Sequence, residues 1–454
     1  MKRGVFLLLP VLLVLCSVSL YADSLISEGV SWDFDWAARA AYNPQKGEFL
    51  VVWSAFNLLY PSNSKLFGPV RGQRIKENGQ RIGVPFDIFS AGVLPDIAYN
   101  EKTNEYLVVA EQWYNTVGQR LDVSGAKIGG QTTLIPTARF PRVLYNSILK
   151  NYLVAAAWPD STSVANNCFL HVYTRPVGAD GNPVGNVNNV ANRPQLCDIA
   201  DKFALAYAPL PDPDPVQQKN PTPGGRYLLV VGDGPRSLWM LDAQGKIVPN
   251  VVDLSSGMWY DNVNFQQTDV HEPYDIDVAF GYVVGQPVFF LVWSDIGKEN
   301  YQGYGEWRGV KAGLLSADRT CHLTTDVVKN IVFPITWIVN HQYYAPLAKE
   351  WRPRVAYNKT TTEFLVAWRE TSGTTPTDTT VNHIRANTSQ GFKIPPAPNT
   401  VVSTIVSAAN PMFPFVASST KTSQVLVGWL DFRWWLARTL GVYLDVVTRQ
   451  KSEF

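Results

Sequence analysis

The chain has 454 residues, of which 46% are hydrophobic and only 17% charged, with a formal net charge of +1. A near-neutral chain has no electrostatic footprint for nucleic acid or for an anionic membrane surface, so those partner classes are set aside. Aromatic residues make up 12%, and Gly and Pro are frequent without a collagen period, a profile that fits an all-β protein with many turns.

Residues 1–22 (MKRGVFLLLPVLLVLCSVSLYA) read as a secretory signal peptide. Lys2 and Arg3 form the charged start, and the apolar run 5–15 is too short to span a bilayer. Cleavage fits after Ser19 or after Ala22. Cys16 invites a lipid anchor, but Leu15 stands where a small residue is required, and the point stays open. No later stretch is long and apolar enough to cross a membrane, so the expectation is an exported protein without a transmembrane segment: periplasmic, cell-surface or secreted. Beyond the signal lie Cys168, Cys197 and Cys321. An oxidising compartment permits a Cys168–Cys197 disulfide, and three buried thiols are the equal alternative. No Cys-x-x-Cys pair occurs, and neither a metal nor a cofactor is expected.

From there the chain repeats itself. A short apolar anchor ends at Ala41-Tyr42-Asn43, Ala98-Tyr99-Asn100, Leu144-Tyr145-Asn146, Ala206-Tyr207, Ala279-Phe280 and Ala356-Tyr357-Asn358, with a worn copy at Ala417-Ser418. The closest pair of anchors is about 46 residues apart, the length of a four-stranded propeller blade. After each anchor comes a second apolar run: 49–53, 106–110, 152–156, 227–231, 289–293, 364–368 and 425–429. These runs do not alternate with polar residues, which predicts strands buried on both faces. Third strands are expected at 72–75, 118–121, 172–177, 238–241, 312–315, 381–385 and 441–444. Most of them run into a Gly turn such as Ser124-Gly125 or Gln244-Gly245, where a hairpin needs positive φ.

The cleanest copy, residues 95–129, combines "AYN", "EYLVV" and "GQRL" around a Gly turn. This unit resembles the repeats of secreted bacterial β-propeller proteins, many without an assigned activity. The resemblance implies a seven-bladed β-propeller of four-stranded antiparallel blades over residues 23–454. Blades are expected at about 37–90, 95–136, 141–190, 201–254, 272–333, 351–405 and 412–447. The seventh lacks a fourth strand, so residues 23–30 are expected to complete it and close the ring. Kelch and WD signatures are absent, as is the Ser-x-Asp-x-Gly-x-Thr-Trp box.

Function is sought in the insertions, which cluster on the rim formed by the turns between strands two and three and by the inter-blade connections. The loop 209–225 is the exception and falls on the opposite rim. Candidate ligand-binding residues are Trp259, Tyr260, Trp307, Trp337, His341, Tyr343, Tyr344 and Trp434. A flat ring covers the apolar face of a sugar while amides and carboxylates satisfy its hydroxyls. The same aromatics can instead pack their loops onto the scaffold. The densest ionisable cluster is His271, Glu272, Asp275 and Asp277, whose carboxylates would serve glycoside cleavage or, in the blander reading, solvate the entrance of a blade. Charged residues beside the anchors, Arg39, Asp96, Arg142 and Arg354, either pair across blades or hold an anion; their alternating sign favours pairing. Phosphate-loop, Gly-x-Ser-x-Gly and His-Glu-x-x-His motifs are absent. The expected function is a binding or scaffolding protein with a carbohydrate or protein ligand on the aromatic rim. The alternatives are an extracellular carbohydrate-active hydrolase or lyase and a purely structural envelope component. Oligomeric state is not legible.

Overall fold

The computed structural model describes residues 24–25, 33–57, 68–160, 169–194, 203–210, 224–231, 238–248, 274–283, 285–297, 307–317, 349–372, 381–389, 400–401, 412–434 and 439–448. Among these the protein is all-β and contains no helix, and the course of the chain is propeller-like.

The strands form consecutive antiparallel meanders, called units here. After β1 (Ser24–Leu25), unit one holds β2 (Asp33–Asn43), β3 (Glu48–Asn57), β4 (Gly68–Lys76) and the first part of β5 (Arg81–Asn100). The rest of β5 opens unit two, with β6 (Glu105–Gln112), β7 (Asn115–Asp122) and β8 (Lys127–Ile135). Unit three is β9 (Arg139–Asn146), β10 (Asn151–Asp160), β11 (Phe169–Val177) and β12 (Asn188–Pro194). Unit four is β13 (Phe203–Ala208), β14 (Arg226–Val231) and β15 (Leu238–Leu241), and unit five is β16 (Tyr274–Val283), β17 (Gln286–Gly297) and β18 (Trp307–Ser316). Unit six is β19 (Lys349–Asn358), β20 (Glu363–Ser372), β21 (Val381–Ser389) and β22 (Thr400–Val401). The last is β23 (Met412–Ser418), β24 (Gln424–Trp434) and β25 (Thr439–Thr448). β1 adds to β25 antiparallel, pairing Ser24 with Leu444 and Leu25 with Tyr443.

The second strands set the packing. The run Phe49 to Ala55 is buried throughout, as is Arg226 to Val231 in β14. Successive residues serve opposite neighbours. Phe49, Val51 and Trp53 pack with Phe415 and Leu426 of the last unit, whereas Leu50 and Val52 pack with Tyr106 and Val108 of unit two. Each core cluster among the described residues is shared by two consecutive units, and one joins the last unit to the first. Each such buried apolar side chain contributes about 1.5–3 kcal/mol, so the seams hold the molecule together. No hydrogen-bonded sheet runs through all units; the described strands divide into sheets of eleven, four, three and seven.

The repeated "AYN" asparagine has two functions. Asn146 Oδ1 accepts from the Ile148 and Leu149 N–H groups at 3.0 and 2.9 Å, closing the hairpin from β9 to β10. Its Nδ2 donates across the seam to Gly224 O at 2.7 Å and Tyr227 Oη at 3.1 Å. Asn358 does the same, accepting from Thr360 and Thr361 and donating to Thr422 O. In the worn seventh copy Ser419 takes the position: its Oγ accepts from Lys421 and Thr422 N–H and donates to Glu77 Oε1 of unit one at 2.9 Å. The "GQR" motif is equally physical. Gln119 Nε2 donates to Ile128 O on the fourth strand at 3.2 Å, and Arg120 grips Glu105 at 2.6 and 3.0 Å. Gly118 is required by a close approach, since a Cβ there would lie 2.7 Å from Leu134 Cδ1.

Asn146 is wholly buried, so removing its amide takes the hairpin N–H groups' acceptor and leaves the Gly224 carbonyl only its longer bond from Tyr207 Oη at 3.3 Å. Asn146→Ala is expected to lower unfolding stability by about 2–4 kcal/mol in denaturant titration. A loss below about 0.5 kcal/mol would show that the seam hydrogen bonds are dispensable.

Candidate functional site

The turn between second and third strands is described in full at unit two. There β6 and β7 pair Gln112 with Asn115, leaving Trp113 and Tyr114 as a two-residue hairpin loop. Both have positive φ, 50° and 65°. Two positive φ values are what such a turn demands, and Asn-Gly ordinarily supplies them; for a bulky side chain this backbone costs on the order of 1–3 kcal/mol. The two rings are also largely in water, at 53% and 55% exposure. A strained turn that displays two large aromatics gains nothing for the core.

The turn is braced rather than loose. Asn115 Nδ2 donates to Trp113 O at 3.0 Å, Asn115 Oδ1 accepts from Thr137 N–H at 3.1 Å, and Thr116 Oγ1 donates to Ala138 O at 2.9 Å. These bonds fix the turn to the connection that leads into unit three. Tyr114 then crosses the seam. Its ring meets Trp158 of β10 edge-on, with centroids 6.3 Å apart, and the Arg139 guanidinium lies 5.3 Å from its centroid. On another side Arg139 lies 5.0 Å from the ring of Phe140. Such cation–π contacts place the guanidinium against both rings.

Below the rings sits Glu111, which is fully buried. Its Oε1 accepts from Arg139 Nε at 2.6 Å, and its Oε2 makes no hydrogen bond among the described residues. Burial pushes the Glu111 carboxyl above the usual carboxylate range, while Arg139 and the Phe140 N–H pull the other way without cancelling the shift. Together these residues make a platform: two exposed aromatic rings and a guanidinium fixed by a buried carboxylate. Gln112 itself accepts from Gln131 Nε2 and donates to Ala91 O at 3.0 Å.

The charged residues beside the anchors are brought together where first strands meet. Asp96 feels the charges of Arg142 and Arg39, and its Oδ2 accepts the Val143 N–H of the next first strand at 2.9 Å. Burial raises the Asp96 carboxyl, with Arg142 and then Arg39 opposing. Asp277 repeats the bond, accepting from Val355 N–H at 2.9 Å. Each carboxylate thus satisfies a backbone donor on the edge of the adjacent first strand. In unit six, burial and the charge of Arg352 lower Arg369 to about 10.

Of the other sequence candidates, His271, Glu272, Trp259, Tyr260, Trp337, His341, Tyr343, Tyr344, Cys168 and Cys197 lie outside the described residues. Asp275, Trp307 and Trp434 fall on β16, β18 and β24, and their side chains are likewise outside the description. Trp113 and Tyr114 were missed by sequence reasoning. The repeat that carries them is the shortest, and a two-residue loop gives no insertion signal. The available clue was chemical: "WY" stands where a hairpin of that length asks for Asn-Gly. Among the described residues there is no cluster of His, Cys, Asp and Glu able to hold a metal, and no helix is long and apolar enough to cross a membrane.

No family model matches the chain, and no curated protein matches it. Among solved structures, a Hadza microbial sialidase aligns with 91% of this chain at 10% identity and a TM-score of 0.40, and the chain spans only 66% of that protein. An endo-arabinase from Bacteroides thetaiotaomicron aligns with 80% of this chain and 95% of its own, at 9% identity and a TM-score of 0.33. A polysaccharide lyase aligns with 89% of this chain and 88% of its own, at 8% identity and a TM-score of 0.39.

Replacing Trp113-Tyr114 by Asn-Gly removes two strained backbones at the expense of the Tyr114 ring contacts. The double variant is expected to be more stable by about 1–3 kcal/mol. A destabilised variant would mean that the aromatics serve the scaffold. Glu111 gives a pH signature. Its folded pKa is raised, so the unfolded chain releases the proton first, and stability is lost as pH climbs from about 4.5 through the folded value. Glu111→Gln should flatten that fall in thermal melts taken as pH rises above about 4.5; parallel curves for the two proteins would rule the assignment out.

Proposed function

We propose that this chain is an exported seven-bladed propeller that works as a binding protein, with carbohydrate as its ligand on the rim that carries Trp113 and Tyr114. The ring reading is supported by the inter-unit cores, including the one between the last unit and the first, and by first strands that contact one another in the same cyclic order. In this reading Ser24–Leu25 on β25 supplies the fourth strand of the last blade and closes the ring. Residues 1–22 are its export signal, and the remaining residues form one domain.

The observation that carries the binding function is the Trp113-Tyr114 turn. Two large aromatics are held exposed, at a backbone cost, and braced from the neighbouring unit. Rigid rings presented this way suit the apolar face of a pyranose, and the outer edge of the Arg139 guanidinium suits a polar substituent beside it. A purely structural protein has no use for that arrangement. The rim aromatics beyond the described residues, such as Trp259 and Trp337, extend the same surface in this reading. Asp277 already holds the Val355 N–H, which favours a structural part for it over catalysis.

Screening the mature protein on an array of neutral and acidic oligosaccharides should give saturable binding. That binding should fall at least tenfold in Trp113→Ala and vanish in the Asn-Gly double variant, although the latter folds more stably. Absence of binding to any glycan would overturn the reading. Chain cleavage lost on Asp277→Asn would move the protein to the hydrolases or lyases.

A further inference from the structure

The rim cluster says more about its ligand than that it has a sugar ring. Arg139 is held in three ways: Nε by buried Glu111 at 2.6 Å, and its Cζ set over the rings of Tyr114 and Phe140. None of these uses the outer end of the guanidinium. Nη1 and Nη2 donate to no group among the described residues, and the side chain remains 31% exposed. Contact with a ring uses none of a guanidinium's N–H groups, which donate in its plane. The in-plane fork formed by Nη1 and Nη2 is therefore available beside Trp113 and Tyr114. Such a fork matches the two oxygens of a carboxylate and binds them bidentately. It is also prepaid in conformation: Glu111 and the two rings have already removed the rotamer freedom that a surface arginine would lose on binding. Asn115 is committed to the turn, so the fork is the strongest donor left on the platform.

We infer that the ligand is an acidic glycan, a uronate-containing chain whose sugar ring stacks on Trp113 or Tyr114 while its carboxylate is received by the Nη1–Nη2 fork of Arg139. Glu111 is a positioning residue in this scheme. It does not meet the ligand, and it aims the fork by holding Nε. The inference rests on the glycan-binding reading above and goes beyond it by fixing the charge of the sugar.

The test is isothermal titration of the mature protein with an oligo-uronate and with its methyl ester, in which each carboxylate is neutralised and the ring is unchanged. A sulfated oligosaccharide of similar length serves as a third probe. The acid should bind at least tenfold more tightly than the ester. Arg139→Gln should abolish that ratio, so that acid and ester bind the variant equally, and Arg139→Lys should recover only a small part of it, because an ammonium keeps the charge but not the fork. Glu111→Gln should narrow the ratio of acid to ester affinity, and thermal melts confirm that each variant is folded. Equal binding of acid and ester would overturn the inference and leave glycan binding intact. Tighter binding of the sulfated probe than of the uronate would also overturn the carboxylate assignment. Acid binding that needs Arg139 but not Trp113 would keep the fork and remove the aromatic platform. No binding of any probe would remove both.

Discussion

The structure depends on the dryness of the second strands on both faces. A strand such as Leu107 to Ala110 cannot bury itself within its own meander, because its two sides face different neighbours. A unit alone would leave one side of that run in water, at roughly 25 cal/mol per Å² of apolar surface. Stability therefore belongs to the seams and not to the units, as in other repeat architectures. This explains why the core reads as consecutive shared clusters, and why one of them must join the last unit to the first.

The polar features follow from the same arrangement. First strands meet their neighbours at an edge, where backbone donors have no sheet partner of their own. Asp96 and Asp277 supply the missing acceptors to Val143 and Val355. At the other end of these strands Asn146 and Asn358 close a hairpin and cross the seam with the same side chain. A buried amide can do this because it has both an acceptor and donors. Serine has a smaller set, and Ser419 manages with help from Glu77, which also accepts from Tyr42 and Thr422. The sequence motif is thus a record of how each unit is attached to the next.

These parts of the fold were legible in the chain because they obey period and repetition. The unbroken apolar run of Tyr106 to Ala110 announced a strand buried on both sides, and the spacing of the anchors announced the units. The alternating signs of Arg39, Asp96 and Arg142 pointed to pairing, although not to the backbone donor that the aspartate serves. The platform was legible only in its composition. Trp113 and Tyr114 add no residue to the shortest repeat, so a search for insertions passes over them. Their meaning lies in φ, which sequence does not display, and in Arg139 and Trp158, which come from the next unit. The interaction between units that made the scaffold readable is also what hid the site.

The position of the platform on a seam has a mechanical consequence. A strained hairpin relaxes unless its surroundings hold it, and here the restraint comes from across the boundary: Thr137 N–H on Asn115, Ala138 O on Thr116, and Arg139 on Tyr114. The strain is therefore carried by contacts that exist only when units two and three are docked. Display of the aromatics and aim of the guanidinium are properties of the assembled pair, because Glu111 comes from one unit and Arg139 from the other. Anything that loosens this seam would cost the site its geometry before it cost the protein its fold. A ligand that bridges Trp113 and Arg139 would in turn fasten the two units together, since binding to the docked state alone stabilises that state.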